Sequence, residues 1–187
     1  MIIASQYITT SPQGDTRRLF YVQNYEWALK MTFRYLGNYE VAVATVHDSF
    51  LRLFQSIGEG IGLPNPHGQP SDRRRVKEIF IKAAVNAALQ GAAEDTTPVR
   101  AGYAQAYLRE LAVCDDEGAD SSRYRNVIAQ VLLLPLYPRL AYNICVIEGC
   151  SGKEAAGLLG INESQVAGHV QKARTLLKNA VTLIDLK

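Results

Sequence analysis

Residues 151–179 read SGKEAAGLLGINESQVAGHVQKARTLLKN, and they hold two helix starts separated by a turn. Ser151 and Glu154 have the spacing of a capping box, in which each side chain satisfies the other residue's orphan backbone amide. Asn162 and Gln165 repeat the arrangement eleven residues later. Gly160 lies between them and supplies the left-handed residue that ends the first helix. Ala156 is the small residue where two helices cross, and Val166 the branched apolar residue on the second helix's inner face. The spacing therefore predicts a helix-turn-helix. In the second helix Val166, Val170, Ala173 and Leu177 face inward. The outward face holds Ser164, Ala167, Gly168, Gln171 and Thr175, with Glu163, Gln165, Lys172 and Arg174 alongside. Polar side chains of this kind reach base edges, and Lys172 and Arg174 are suited to phosphates. The competing reading is an ordinary helical hairpin that touches no DNA. Two caps, a turn glycine and the inner apolar spacing coincide in favour of the first.

Upstream, residues 123–149 (RYRNVIAQVLLLPLYPRLAYNICVIEG) read as helical segments broken at Pro135 and Pro138, the last ending at Gly149. In the N-terminal half, Val22, Tyr25, Leu29, Phe33 and Leu36 recur at helical spacing, predicting a helix from about Thr16 to Leu36 with Asp15 as N-cap and Gly37-Asn38 as stop. A second helix, about Tyr39 to Ile57, has the stripe Val43, Val46, Phe50, Leu53, Phe54 and Ile57. Its other face (Ala44, Thr45, Asp48, Ser49, Arg52, Gln55) is not needed for a core and is free to bind. Residues 58–71, rich in Gly and Pro, predict a loop. A third helix from about Asp72 to Leu89 opens with Arg73, Arg74 and Arg75. Three cations at a helix N-terminus oppose the macrodipole, so they are either a solvated cluster or a phosphate contact. Residues 90–122 are loop-like and acidic around a short helical piece, YAQAYLRELAV.

Strand signals are nearly absent, and the expectation is an all-α chain of two small helical domains, 1–92 and 122–187, joined by a linker at 93–121. The 187 residues carry a net charge of +2, distributed as +3 over 1–90, −3 over 91–150 and +2 over 151–187. Two basic ends around an acidic middle suit two phosphate-facing modules. No apolar run is long enough to span a bilayer and the N-terminus lacks the pattern of a secretion signal, so a cytoplasmic protein is expected. Cys114, Cys145 and Cys150 complete no metal set, and His47, His67 and His169 are scattered. No P-loop or nucleophile elbow appears, so neither catalytic residues, a metal nor a cofactor is expected.

Residues 135–177 (PLYPRLAYNICVIEGCSGKEAAGLLGINESQVAGHVQKARTLL) resemble region four of the extracytoplasmic-function sigma factors, bacterial transcription-initiation proteins. Pro138, Arg139, Glu148, Gly149, Glu154, Ala156, Leu159, Gly160, Val166, Ala173, Arg174 and Leu177 carry the likeness. Residues 34–57 (RYLGNYEVAVATVHDSFLRLFQSI) resemble region two, through Asp48, Phe50, Leu51, Arg52, Leu53 and Phe54. Residues 79–89 resemble its following helix, with Phe80 at the family's usual Trp position and Asn86 at its Asn.

The resemblance implies core RNA polymerase and promoter DNA as partners, and allows an anti-sigma protein. It implies polymerase contacts from Asp48, Arg52 and Gln55. It implies that Arg73, Arg74, Arg75, Lys77, Lys82 and Asn86 meet the downstream promoter element and hold an unstacked base. The upstream element would be read by Ser164, Gln165, Gly168, Gln171, Lys172, Arg174 and Thr175. The sequence departs from the family pattern at Ala44, His47, Ala167 and His169, where acidic, Gln or basic residues are usual. These departures keep a second reading open, a sigma-like adaptor that binds polymerase or an anti-sigma protein and reads DNA weakly. A third reading, a plain helix-turn-helix repressor, leaves the N-terminal half unexplained.

Overall fold

A computed structural model of the chain describes residues 12–57, 70–93 and 127–185, and among these every regular element is a helix. Helix α1 spans Pro12–Leu36, α2 Tyr39–Ile57 and α3 Pro70–Ala93. Residues 127–132 are helical. Helix α4 spans Leu136–Tyr142 and runs into a π-helical turn, Asn143–Ile147. Helix α5 spans Gly152–Leu159 and α6 Glu163–Asp185. The all-α class expected from the sequence is what the chain adopts. Most of the proposed 93–121 linker, and all of the proposed loop up to residue 69, lie outside the described residues.

Helices α1, α2 and α3 pack on one another through rings. Phe50 meets Phe20, Phe54, Tyr21 and Phe80 at centroid distances of 6.2, 5.9, 4.8 and 5.0 Å. Trp27 sets its ring against Phe80 edge-on at 5.9 Å. Val46, Val76, Ala84 and Val85 fill the space between. Each buried side chain of this size contributes roughly 1.5–3 kcal/mol of apolar transfer free energy. Gly37, at φ 68°, ends α1 with its amide donating to the Phe33 carbonyl (2.7 Å), as the sequence predicts.

Several local expectations are corrected. Helix α1 begins at Pro12, so Asp15 lies inside its first turns and is not the N-cap. Proline suits a first helical turn, where its missing N–H has no partner to lose. Val22 is 65% exposed, whereas Phe20, Asn24, Ala28, Met31, Thr32 and Tyr35 are buried. Helix α1 is covered on more than one side along its C-terminal half, and a single stripe does not describe such a helix. Ser49, expected on the open face of α2, is buried, and its hydroxyl donates to the Thr45 carbonyl at 2.6 Å. Helix α3 starts two residues before Asp72 and continues through Gly91 to Ala93. Pro135 breaks the chain as expected, but Pro138 does not. It sits buried in the first turn of α4, where helix amides have no acceptor four residues back.

The C-terminal elements pack partly on one another and partly on the N-terminal helices. Val131, Leu134 and Ala173 form one small cluster with Tyr142 and Leu177 against it. Leu140, Ala141, Ile144, Ala155, Leu159 and Val166 belong instead to the same buried cluster as Phe50 and Phe80. The two halves of the sequence therefore meet along a seam of α3 with α4 and α5.

Candidate nucleic-acid interface

The turn 149–163 is built as its sequence dictates. The Ser151 hydroxyl accepts from the Glu154 amide (3.2 Å), while the Glu154 carboxylate accepts from the Ser151 amide (2.8 Å). The Ser151 amide and then the Ser151 hydroxyl, both donating to the Glu154 carboxylate, hold its pKa below the ordinary value, with the nearby Arg74 guanidinium adding to the effect. Gly160 takes φ 66° and ψ 30°, and the Ile161 amide closes onto the Ala156 carbonyl at 3.2 Å. The Gln165 amide donates to Asn162 Oδ1 (2.8 Å), and the Asn162 amide to Gln165 Oε1 (3.1 Å). Both capping boxes are thus formed. The residue buried where the helices cross is Ala155, with the neighbouring Ala156 only half-buried.

Helix α6 buries Val166 and Ala173 and half-buries Val170 and Leu177, the inner face expected of it. Ser164, Gln165, Ala167, Gly168, Gln171, Lys172, Arg174 and Thr175 are all exposed. Ser164, Gly168, Gln171 and Thr175 share one face by helical spacing, with Lys172 and Arg174 on its two flanks. Two of these polar groups have other duties. Gln165 Oε1 is engaged in the cap, and the Thr175 hydroxyl donates to the Gln171 carbonyl at 3.1 Å. His169 is turned aside and stacks on Tyr137, with centroids 5.4 Å apart. A Cβ added at Gly168 would meet nothing within 4 Å. Gly168→Ala is therefore expected to stabilise the chain by about 1 kcal/mol, the helix-propensity difference alone. Thermal melting followed by circular dichroism measures this, and a lowered midpoint would contradict it.

The structure divides the candidate residues of α3. Arg75, Lys82 and Asn86 are exposed and fall at i, i+7 and i+11, one outward stripe. Arg74 and Lys77 point the other way. The Arg74 guanidinium donates to Glu78 (3.0 Å) and to Glu154, and the Lys77 ammonium reaches Glu148 at 2.7 Å. The side chain of Arg73 lies outside the described residues. On α2, Asp48, Arg52 and Gln55 are exposed at i, i+4 and i+7 and form one open face. His47, close by, is half-buried. Its Nε2 lies 2.8 Å from the Tyr21 hydroxyl and its ring stacks on Tyr25, and burial lowers its pKa. Burial also raises the Tyr21 hydroxyl to about 12.

The sequence assigns no contact role to Glu148, Asn143 or Arg34, which meet at the seam. Glu148, its side chain 4% exposed, is shared by Arg34 of α1 and Lys77 of α3. Asn143, fully buried in the π-helical turn, accepts from Arg34 Nε at 3.3 Å and donates to the Arg139 carbonyl at 2.9 Å. Single-turn π segments often mark functional positions. The only local hint was the acidic-Gly pair Glu148-Gly149, with Gly149 at φ 74°. Burial raises the thiols of Cys145 and Cys150, which makes them poor nucleophiles at neutral pH.

Among the described residues no group of three His, Cys, Asp or Glu side chains is placed to hold a metal, and no helix is long and apolar enough to cross a membrane. No family model matches the chain, and no curated protein matches it significantly.

Proposed function

We propose that this chain is a transcription-initiation factor of the sigma type, which binds core RNA polymerase and directs it to specific promoters. The observation that carries the reading is the doubly capped turn 151–165, which fixes α6 with an unobstructed polar face from Ser164 to Thr175. A helix held by its inner face and presenting short polar side chains outward is suited to the major groove. The stripe Arg75, Lys82 and Asn86 on α3 supplies a second surface suited to phosphates and an unstacked base. The open face of α2 with Asp48, Arg52 and Gln55 is the surface assigned to the polymerase. The protein supplies recognition, and bond-making chemistry stays with the polymerase.

A second reading, a polymerase- or anti-sigma-binding adaptor with weak DNA reading, is favoured by one observation. Arg74 and Lys77 are taken up by carboxylates of the same chain. Gel filtration with purified core polymerase, followed by run-off transcription on genomic fragments, separates the readings. An initiation factor co-elutes and gives discrete starts, whereas a polymerase-binding adaptor co-elutes and gives none. Absence of co-elution would sink the initiation factor and the polymerase-binding adaptor, leaving only an adaptor for an anti-sigma protein.

A further inference from the structure

We infer that Cys145 and Cys150 form an oxidisable dithiol, which a hydroperoxide converts to a disulfide across the turn between the π-helical segment and α5. The backbone brings the two residues together. The Cys150 amide donates to the Ile144 carbonyl at 3.0 Å, and that carbonyl belongs to the peptide leading into Cys145. Standard peptide dimensions then put the two Cα atoms no more than about 7 Å apart. Disulfides span Cα separations of roughly 4.4–6.8 Å, so closure needs little backbone movement. Gly149, at φ 74°, reverses the chain between them. Both thiols are free and half-buried, open enough for a small oxidant to reach.

A second observation points to the same place. Tyr35 of α1 is fully buried, and its hydroxyl has no hydrogen-bond partner among the described residues. A buried hydroxyl without an acceptor is costly. Burial, then Glu148, raise its pKa most, and Cys150 and Cys145 add to the rise, so both thiols lie within electrostatic reach of it. An oxygen added to sulfur there is the acceptor that this hydroxyl lacks.

The two sulfurs differ. Burial alone raises the Cys145 thiol, whereas Cys150 is raised by burial and further by Glu154, Glu148 and Cys145, against Lys77. Cys145 is therefore the attacking thiol. Its thiolate attacks one peroxide oxygen and the O–O bond breaks, leaving a sulfenic acid on Cys145. The departing oxygen takes up the proton that the thiol released. The Cys150 sulfur then displaces the sulfenic oxygen. The S–S bond forms, the S–O bond breaks, and the oxygen leaves as water with the Cys150 proton. Two electrons pass from the two sulfurs to the peroxide. Thiolate is scarce at neutral pH, so the first step is slow and the pair answers sustained rather than brief oxidation.

The test treats the full reduced chain with hydrogen peroxide, alkylates the remaining thiols with iodoacetamide and digests with trypsin. Cleavage after Arg139 and Lys153 leaves both cysteines in one peptide, 140–153, apart from Cys114. The expected result is that peptide unalkylated and lighter by two hydrogens, with both thiols recovered by a dithiol reductant. Alkylation of both cysteines in 140–153, or a bridge to Cys114 or between chains, overturns the pair. This mapping uses the unmodified chain, so it stands whether or not a variant folds. Cys150→Ser is expected to stop at a sulfenic acid on Cys145, trapped by a cyclic 1,3-diketone, and absence of that label overturns the assigned order. Tyr35→Phe keeps the ring and removes the hydroxyl. It is expected to slow disulfide formation about three- to tenfold, as loss of one hydrogen bond implies, with the rate of alkylation unchanged. An unaltered oxidation rate overturns the part given to the hydroxyl. The mapping involves neither polymerase nor promoter, so its failure is told apart from failure of the initiation-factor reading, which co-elution reads.

Discussion

Phe80→Ala is expected to destabilise the chain by about 3–5 kcal/mol, the cost of removing a fully buried aromatic ring without collapse of its site. Phe80 is 0% exposed and stands on α3 where that helix faces both of its neighbours. Its ring meets Phe50 of α2 at 5.0 Å and 67°, and Trp27 of α1 at 5.9 Å and 89°. Both are edge-to-face arrangements, which add roughly 0.5–1.5 kcal/mol per pair beyond area burial. The space left by the ring is bounded by other rings, which cannot close over it without leaving their own partners. Phe50 also touches Phe20, Tyr21 and Phe54, so a shift toward the void would loosen the α1–α2 contact. Domain stabilities are about 5–15 kcal/mol, so the variant should lose much of its margin. Urea denaturation followed by circular dichroism measures the change. A loss below about 1 kcal/mol would show that the three helices do not depend on this ring as described.

The clearest parts of the fold in the sequence were those fixed by neighbours in the chain. Ser151 with Glu154, Asn162 with Gln165, and the left-handed Gly160 are interactions within a few residues, and each formed as read. The face of α6 follows from the same local rule, since burying Val166 and Ala173 leaves Ser164, Gly168, Gln171 and Thr175 outward. Helix α1 was less legible because its burial is decided by partners distant in sequence. The apolar Val22 ends up exposed and the polar Asn24 and Thr32 buried, with Asn24 donating to the Phe20 carbonyl at 2.7 Å. Pro138 was misread because its effect depends on where the helix begins, and that start is set one turn earlier by Pro135. The seam could not be read at all. Arg34 and Glu148 are separated by 114 positions, and no periodicity connects them. For the same reason the resemblance implied promoter contacts for Arg74 and Lys77, and only the folded chain brings Glu154 and Glu148 to them.

Gly160→Val is expected to destabilise the chain by about 1–3 kcal/mol, and by a route opposite in kind to the loss of Phe80. No atom obstructs a side chain at this position: a Cβ there would meet nothing within 4 Å. The cost arises in the backbone, which holds φ at 66° and ψ at 30°. An L-residue in that region brings Cβ against the following carbonyl, and a β-branched residue does so most severely. Relief would require moving Gly160 out of the left-handed region, which breaks the bond from Ile161 to Ala156 and changes the angle between α5 and α6. Ala155, Leu159 and Val166, all buried at that crossing, would then lose their fit. On the proposed function, run-off transcription from specific promoters falls with stability, while co-elution with polymerase through the open face of α2 persists. Gly160→Asn is the control, because asparagine tolerates the left-handed region and can end a helix there. It should retain most of the stability and the transcription that valine loses. Gly168 supplies the converse case on the same motif, since that glycine is helical and alanine is expected to improve it. If Gly160→Val melted like the unmodified chain, the turn would not depend on its left-handed residue, and the fixed presentation of α6 would lose its physical basis.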